Sequence, residues 1–194
     1  MSVPIHERNP PPVAVDGIQG EVFDHLGFIE LIARWVKPEI YVEYGVECGR
    51  VIDAVSSHCK RAIGIGSEPY NPTKSNIEYN QCSISEFKAF LLDSDIKIDM
   101  VFINEHTTFM SVLTDFQNIF PNVIPNGMIF LRNTYPTCPE LTNDDACGDC
   151  WKLPFAIKDM YGDQCEVLTL PICPGLTMVR KTHNLDWETW SRSK

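Results

Sequence analysis

Short, mostly apolar runs alternate along this chain with stretches in which apolar residues recur at every third or fourth position. The first pattern is typical of buried strands, and the second places apolar side chains on one face of a helix. The second pattern predicts an opening helix over Glu21 to Val36. The helix ends there because Pro38 cannot continue it. Seven strands follow, at Glu39–Tyr44, Arg61–Gly66, Ile77–Gln81, Ile98–Ile103, Gly127–Arg132, Glu166–Leu170 and Leu176–Lys181, with helices around Val51–Val55, Phe87–Leu91 and Met110–Phe120.

The order of these elements predicts an α/β fold of the doubly wound, Rossmann-like class. Strands that alternate with helices through short connections pair in parallel, and their sheet carries helices on both faces. The last two strands are joined only by PICPG, which is too short for a helical crossover, so they must form a hairpin. We therefore expect a seven-stranded, mostly parallel sheet with an antiparallel C-terminal hairpin strand.

Length and composition limit the organisation of the chain. Its 194 residues are 44% hydrophobic, which suits one globular domain, predicted over residues 17–194. The preceding residues 1–16 contain three consecutive prolines and are predicted to form a proline-rich arm. No apolar stretch approaches the roughly 20 residues of a membrane helix, and the first residues lack a secretory signal pattern, so a cytoplasmic location is expected.

Charge and cysteine content narrow the expected partners. The formal net charge is -10 and no basic cluster occurs, which argues against nucleic acid as a partner. Eight cysteines are present, and most are expected to be small buried thiols. The Cys147-Gly148-Asp149-Cys150 segment leaves a zinc site or a redox pair as alternatives, although structural zinc needs two further ligands. The sequence leaves the oligomeric state open, with a homo-oligomer possible.

The stretch YVEYGVECGR, residues 41–50, occupies the first strand-to-helix turn, where doubly wound sheets commonly bind ligands. Gly45 and Gly49 would let the backbone turn tightly and approach a ligand closely. The dinucleotide fingerprint GxGxxG is absent, which disfavours a nicotinamide cofactor. A different cofactor is therefore expected at this turn.

Glu43, Gly45 and Gly49 resemble the ExGxxxG motif of class I S-adenosylmethionine (SAM) dependent methyltransferases. The resemblance continues in order over roughly residues 20–181, through RAIGIGSEP, QCSISEF and the long unit that starts at IDMVFINEH. That unit is similar to the corresponding part of compact small-molecule O-methyltransferases and cephalosporin-hydroxylase-like proteins. The C-terminal segments CWK and PGLTMVRK also resemble that group.

The resemblance implies a SAM pocket made from the ends of the first four strands. Its cofactor-binding positions correspond to Glu43, Gly45, Val46, Gly49, Glu68, Cys82, Ser83 and Asn104. Glu43 and the two glycines would hold the methionine end of the cofactor, while Glu68 would have to replace the family's ribose-binding acid. In register, that acid falls on Gly66.

The implied activity is methyl transfer to a small-molecule acceptor, with a hydroxyl as the expected methyl-accepting group. Relatives that use a divalent cation collect carboxylates after the fourth and fifth strands, but this chain has Asn104 and Asn133 there, so metal independence is expected. Candidate general bases are His106, Glu105 and Asp149. The same departures leave open an alternative function, a methyltransferase fold that no longer catalyses and serves as a binding or assembly module.

Overall fold

The computed structural model describes residues 24–82, 86–87, 96–104, 108–143, 145–172 and 174–182. The proline-rich arm, Ser83 and most of the helix predicted around Phe90 lie outside these ranges. The strands are β1 Ile40–Tyr44, β2 Arg61–Gly66, β3 Ile77–Gln81, β4 Ile98–Ile103, β5 Val123–Arg132, β6 Cys165–Leu170 and β7 Leu176–Lys181. The helices are α1 His25–Val36, α2 Arg50–Ser56, α3 Phe109–Ile119 and α4 Leu153–Tyr161, with short 3-10 turns at Phe120–Asn122, Pro139–Thr142 and Cys150–Lys152.

The seven strands form one sheet in the order β3-β2-β1-β4-β5-β7-β6. Strands β1 to β5 pair in parallel, and β7 lies antiparallel between β5 and β6. The predicted fold class is confirmed. The chain changes direction between β3, which ends one side of the sheet, and β4, which returns beside β1, so the carboxyl ends of β1 and β4 form the switch point of the sheet.

Two hydrophobic clusters cover the two faces of the sheet. One joins apolar residues of α1 and α2 to strand residues such as Tyr41 and Phe102. The other joins α3 and α4 to Val42, Tyr44 and Val101. Successive residues of β1 thus belong to opposite clusters, as the two-residue period of a strand requires. Helices therefore cover both faces of the sheet, as predicted, although only residues 86–87 near the helix predicted around Phe87–Leu91 are described.

Strand β5 starts earlier than the sequence pattern predicts. The Pro125-Asn126-Gly127 segment is a turn-forming sequence, yet it lies within a strand that begins at Val123. Asn126 takes a left-handed conformation, with φ 67, and the pairing between β4 and β5 shifts register between the Ile98 and Met100 positions. The segment is therefore a local irregularity in β5, which explains why a turn signal occurs inside a strand.

The connection between β2 and β3, residues 67–76, contains no helix. Its side chains bind α2 instead: the Tyr70 hydroxyl donates to Asp53 Oδ1 at 2.7 Å, and Asn76 Nδ2 donates to the Ser56 carbonyl at 2.9 Å. These bonds hold the connection across the start of α2 and place the Tyr70 ring against Gly49. The β2–β3 connection therefore forms one wall of the region around the glycine motif.

The cysteine segment before α4 is part of the core. Cys147 and Cys150 are both fully buried, and burial raises the pKa of the Cys150 thiol to about 12. Within the described ranges, no group of three or more His, Cys, Asp or Glu side chains is arranged to hold a metal ion. None of the helices in those ranges combines the length and apolar character needed to cross a membrane.

Candidate functional site

The glycine motif forms the turn from β1 into α2. Gly45 and Gly49 both have positive φ, at 81 and 79, a conformation that favours glycine. The backbone N–H groups of Gly45 and Val46 both donate to the Ile65 carbonyl, at 2.8 and 3.2 Å. A Cβ at position 49 would overlap the Tyr70 ring. Conformation and packing therefore both require glycine at 49, and β2 holds the loop in place.

A small cavity of about 90 Å³ opens beside this loop at the carboxyl ends of β1, β4 and β5. Acidic and basic side chains line it, contributed by separate parts of the chain: the acids Asp24, Glu43 and Glu47, and the guanidinium groups of Arg50 and Arg132. Such a lining is complementary to a ligand that carries a positive and a negative group close together.

Glu43 is the buried acid of this cavity, with 2% of its surface exposed. The Tyr41 hydroxyl donates a hydrogen bond to Glu43 Oε2 at 2.6 Å. Burial raises the pKa of Glu43 to about 8, although the bond from Tyr41 acts in the opposite direction. Glu43 is therefore mostly protonated at neutral pH, and a cation that enters the cavity would favour its ionised form.

Arg132 and Asn104 connect β5 to β4 at the base of the cavity. Arg132 Nη1 donates to Asn104 Oδ1 at 2.8 Å and lies 3.6 Å from Glu47 Oε1. The Asn104 backbone N–H donates to the Tyr44 carbonyl at 2.9 Å. The Asn104 side chain is thus fixed with its oxygen directed to a guanidinium.

His25 completes the cavity from the first turn of α1, whose N-cap is Asp24. Its ring centroid lies 6.0 Å from that of Phe102. Burial, followed by the positive charge of Arg132, lowers the pKa of His25 to about 4. His25 is therefore neutral at pH 7 and adds no further positive charge to the cavity.

At the end of β2, the position of the family's ribose-binding acid is filled from β3. A Cβ at Gly66 would lie 3.0 Å from the Tyr79 hydroxyl, and that hydroxyl donates to the backbone carbonyl of Glu68. The Glu68 residue itself is exposed on the loop after β2. Glycine at 66 therefore leaves room for the tyrosine.

The structure distributes the sequence-predicted residues unevenly. Glu43, Gly49 and Asn104 line the same cavity, and Gly45 and Val46 lie in its loop, whereas Cys82 packs against the core on the opposite face of the sheet. Glu105, His106 and Ser83 lie outside the described residues.

Asp149 has a structural role at the start of α3. Its Oδ1 accepts from the Phe109 N–H at 2.6 Å and its Oδ2 from Lys152 Nζ at 2.9 Å, and these bonds lower its pKa. A carboxylate held in this way is a weak general base.

Sequence reasoning missed Asp24, His25, Arg50 and Arg132 as cavity residues. Arg132 carried a usable signal, because it is the charged end of the otherwise apolar run GMIFLR. Arg50 follows Gly49 directly and could have been assigned with the motif. Asp24 and His25 belong to α1, and only the tertiary fold brings them to the end of β1.

The described chain has the fold of the class I methyltransferases. Among solved structures, it is similar to the SAH-bound methyltransferase PaMTH1 of Podospora anserina, with a TM-score of 0.62 and 17% identity over 81% of this chain and 78% of that one. The O-methyltransferase of Bacillus cereus in complex with SAH gives a TM-score of 0.61 and 11% identity, over 81% and 80% of the two chains.

A longer protein contains the same fold. MycE, a methyltransferase of the mycinamycin biosynthetic pathway crystallised with Mg and SAH, has a TM-score of 0.62 and 14% identity over 82% of this chain and 50% of its own. No protein-family model matches the chain, and no curated protein matches it in sequence. The likeness at these identities is one of fold.

Proposed function

We propose that the protein is a SAM-dependent methyltransferase that acts on a hydroxyl of a small-molecule acceptor. The observation that carries the proposal is the mixed-charge cavity beside the glycine motif, at the switch point of the sheet. The methionine end of SAM bears an ammonium and a carboxylate, which would face the carboxylate of Glu43 and the guanidinium of Arg50 respectively. SAH-bound proteins share the fold, which adds to this proposal.

The chain's own residues would mainly bind and orient. SAM supplies an activated methyl group, whose transfer is a direct displacement, so correct positioning accounts for much of the acceleration. Gly45 and Gly49 let the backbone pass close to the cofactor, and the charged side chains hold its amino-acid end. Asp149 is occupied by its bonds at α3, so Glu105 and His106, directly after β4, are the proposed bases.

Metal independence is part of the proposal. Asn104 offers only a neutral amide oxygen after β4, and that oxygen accepts a bond from the Arg132 guanidinium at 2.8 Å. A fixed positive charge at this distance would repel a divalent cation, which prefers carboxylate oxygens. Methyl transfer in the presence of EDTA at the untreated rate is the expected result, and activity restored only by added Mg²⁺ would contradict it.

A second function has its own observation. The Tyr79 hydroxyl fills the space beside Gly66, and the 90 Å³ cavity is smaller than the roughly 300 Å³ of a complete small-molecule site. Both features favour a methyltransferase fold that binds no complete cofactor and acts as a binding or assembly module. Calorimetric titration with SAM and with SAH separates the two functions, because a bound ligand also stabilises the fold. Absence of heat and of thermal stabilisation at millimolar ligand would exclude the enzyme.

Arg50→Gln tests the assignment of the cavity. Arg50 is exposed on the first turn of α2, so its loss should leave folding intact while removing a charge-assisted bond to the cofactor carboxylate. We expect SAM affinity to fall by about ten-fold or more. The matched control is Arg34→Gln, an exposed arginine on α1 that pairs with Glu30 away from the cavity. Equal affinities in the two variants would show that the cofactor lies elsewhere.

A further inference from the structure

A second, larger cleft lies on the α4 side of the sheet. Its volume is about 410 Å³, and it lies between the segment after β5, the start of α4 and the end of β6. Tyr135, Trp151 and Phe155 form aromatic walls with 49%, 41% and 71% of their surfaces exposed, while Thr134 and Thr169 add hydroxyl groups. The volume falls within the range of about 300 to 1,000 Å³ of small-molecule sites.

The cleft is built from fixed parts of the fold. The segment after β5 is tied to the hairpin before β7, since the Thr134 N–H donates to the Gly175 carbonyl and the Tyr135 N–H to the Pro174 carbonyl, both at 3.4 Å. Gly175 has φ 98, and a Cβ there would overlap the Tyr135 backbone. The opposite wall begins with Trp151 and continues into α4. One wall is therefore tied to the β6–β7 connection by backbone hydrogen bonds, and the other continues into a helix.

A series of hydrogen-bonded threonine hydroxyls determines whether the cleft offers hydrogen-bond donors or acceptors. Thr177, which is fully buried, donates to Thr134 Oγ1 at 2.8 Å. Its single hydrogen is then used, so in the 2.9 Å contact between Thr169 and Thr177 the donor must be Thr169. Thr134 in turn donates to the Leu131 carbonyl at 3.5 Å. The partly exposed Thr169 hydroxyl thus directs its hydrogen into the protein and offers a lone pair to a ligand, whereas the Thr134 hydroxyl is buried and used within the protein.

The lining also limits the charge of a ligand. None of the eight residues that line the cleft carries a charged side chain. The whole chain has a formal net charge of -10, which disfavours an anion. A suitable ligand is uncharged, flat enough to lie against aromatic rings, and able to donate a hydrogen bond.

We propose that this cleft binds a neutral aromatic alcohol of the phenol type, whose ring contacts Trp151 and Phe155 and whose hydroxyl donates to Thr169. Binding needs no cofactor, so the proposal stands apart from the proposed methyl transfer. A failed SAM titration would leave it intact, and a failed phenol titration would leave the cofactor cavity intact.

The test is calorimetric titration of the full chain, without SAM, with three matched probes. 2-Naphthol carries the hydroxyl donor, 2-methoxynaphthalene lacks it, and 2-naphthoate is an anion of similar shape. We expect 2-naphthol to bind about five-fold more tightly than the ether, as one hydrogen bond allows, and the anion to bind most weakly. No binding of 2-naphthol, or equal binding of the alcohol and the ether, would overturn the proposal.

Two variants locate the site. Thr169→Val keeps the shape of the side chain but removes its oxygen, so 2-naphthol affinity should fall toward that of the ether while ether affinity stays constant. Phe155→Ala should weaken both probes by about two- to ten-fold, because an aromatic contact is lost. The control is Thr114→Val, an exposed position on α3 outside the cleft, which should change neither. An unchanged preference in Thr169→Val together with unchanged affinities in Phe155→Ala would overturn the proposal.

The chain itself is the alternative occupant. Residues 183–194 include Trp187 and Trp190, which could compete with a ligand for an aromatic cleft. A full chain that carries Trp187→Ala and Trp190→Ala and binds 2-naphthol, when the unsubstituted chain does not, would show that its own C-terminal segment takes the cleft. That result would overturn the proposal.

Discussion

Glu43→Gln should change how the stability of the protein depends on pH. The pKa of Glu43 is raised to about 8 by burial, so the folded state keeps a proton that the unfolded chain releases near pH 4.5. This proton stabilises the folded state fully below pH 4.5, and the contribution is lost as the pH rises through 8. Glutamine has a similar shape and no such proton, so the variant lacks this dependence.

His25 gives the opposite trend over part of the range. Its pKa is lowered from 6.5 to about 4, so its contribution is present above pH 6.5 and lost as the pH falls toward 4. Each group changes the free energy of unfolding by about 1.4 kcal/mol per pH unit. In the unsubstituted chain the two trends cancel between pH 5 and 6.5, and stability then falls by about 2 kcal/mol up to pH 8. In Glu43→Gln it should rise by about 2 kcal/mol up to pH 6.5 and then remain level.

Urea unfolding at several pH values from 5 to 8, followed by circular dichroism under reducing conditions, measures this difference. Between pH 5 and 8, the free energy of unfolding of Glu43→Gln should rise by about 4 kcal/mol relative to that of the unsubstituted chain. Tyr41→Phe is the companion variant: it removes the hydrogen bond that lowers the pKa of Glu43, so the fall in stability should continue beyond pH 8. Parallel curves for the unsubstituted chain and Glu43→Gln would refute the assignment of a protonated, buried Glu43.

Three further results are expected. Gly49→Ala should lower the free energy of unfolding by at least about 1–2 kcal/mol, because alanine is strained at φ 79 and its Cβ overlaps Tyr70; chemical denaturation measures it, and an unchanged midpoint would contradict the geometry of the loop. Asp149→Ala should cost about 1 kcal/mol through the lost bonds at the start of α3, and leave SAM affinity unchanged in calorimetry; a selective loss of activity in a fully stable variant would instead indicate catalysis. Iodoacetamide with mass spectrometry should label exposed Cys48 rapidly and buried Cys150 only after unfolding, and fast labelling of both would disprove the burial.

The positions of the strands along the chain could be predicted because buried strands in this chain are short apolar runs with clear ends. The start of β5 was the exception. The Pro125-Asn126-Gly127 segment is a local turn signal, whereas the pairing with β4 that accommodates it within the strand depends on residues distant in sequence. The connection after β2 was equally hidden from sequence reasoning, because its order comes from bonds to Asp53 and Ser56 on a different element. Local propensity cannot report contacts of this kind.

For the site, the motif itself could be predicted and its partners could not. Glu43, Gly45 and Gly49 are close in sequence and depend on one local turn. Arg132 reaches the cavity only because β5 pairs with β4 in the sheet, and His25 because α1 packs beside β1. No spacing rule in a single sequence connects positions so far apart.

The departures from the family pattern acquire a different meaning once these distant partners are known. In the sequence, Gly66 and Asn104 are two positions at which the resemblance implies acids. In the structure, the Tyr79 hydroxyl lies beside Gly66, and Arg132 donates to the Asn104 oxygen at 2.8 Å. A Cβ at 66 would lie 3.0 Å from that hydroxyl, so a larger side chain there would require the tyrosine to shift. Both positions therefore have packed partners in the structure, which a reading of the sequence alone does not reveal.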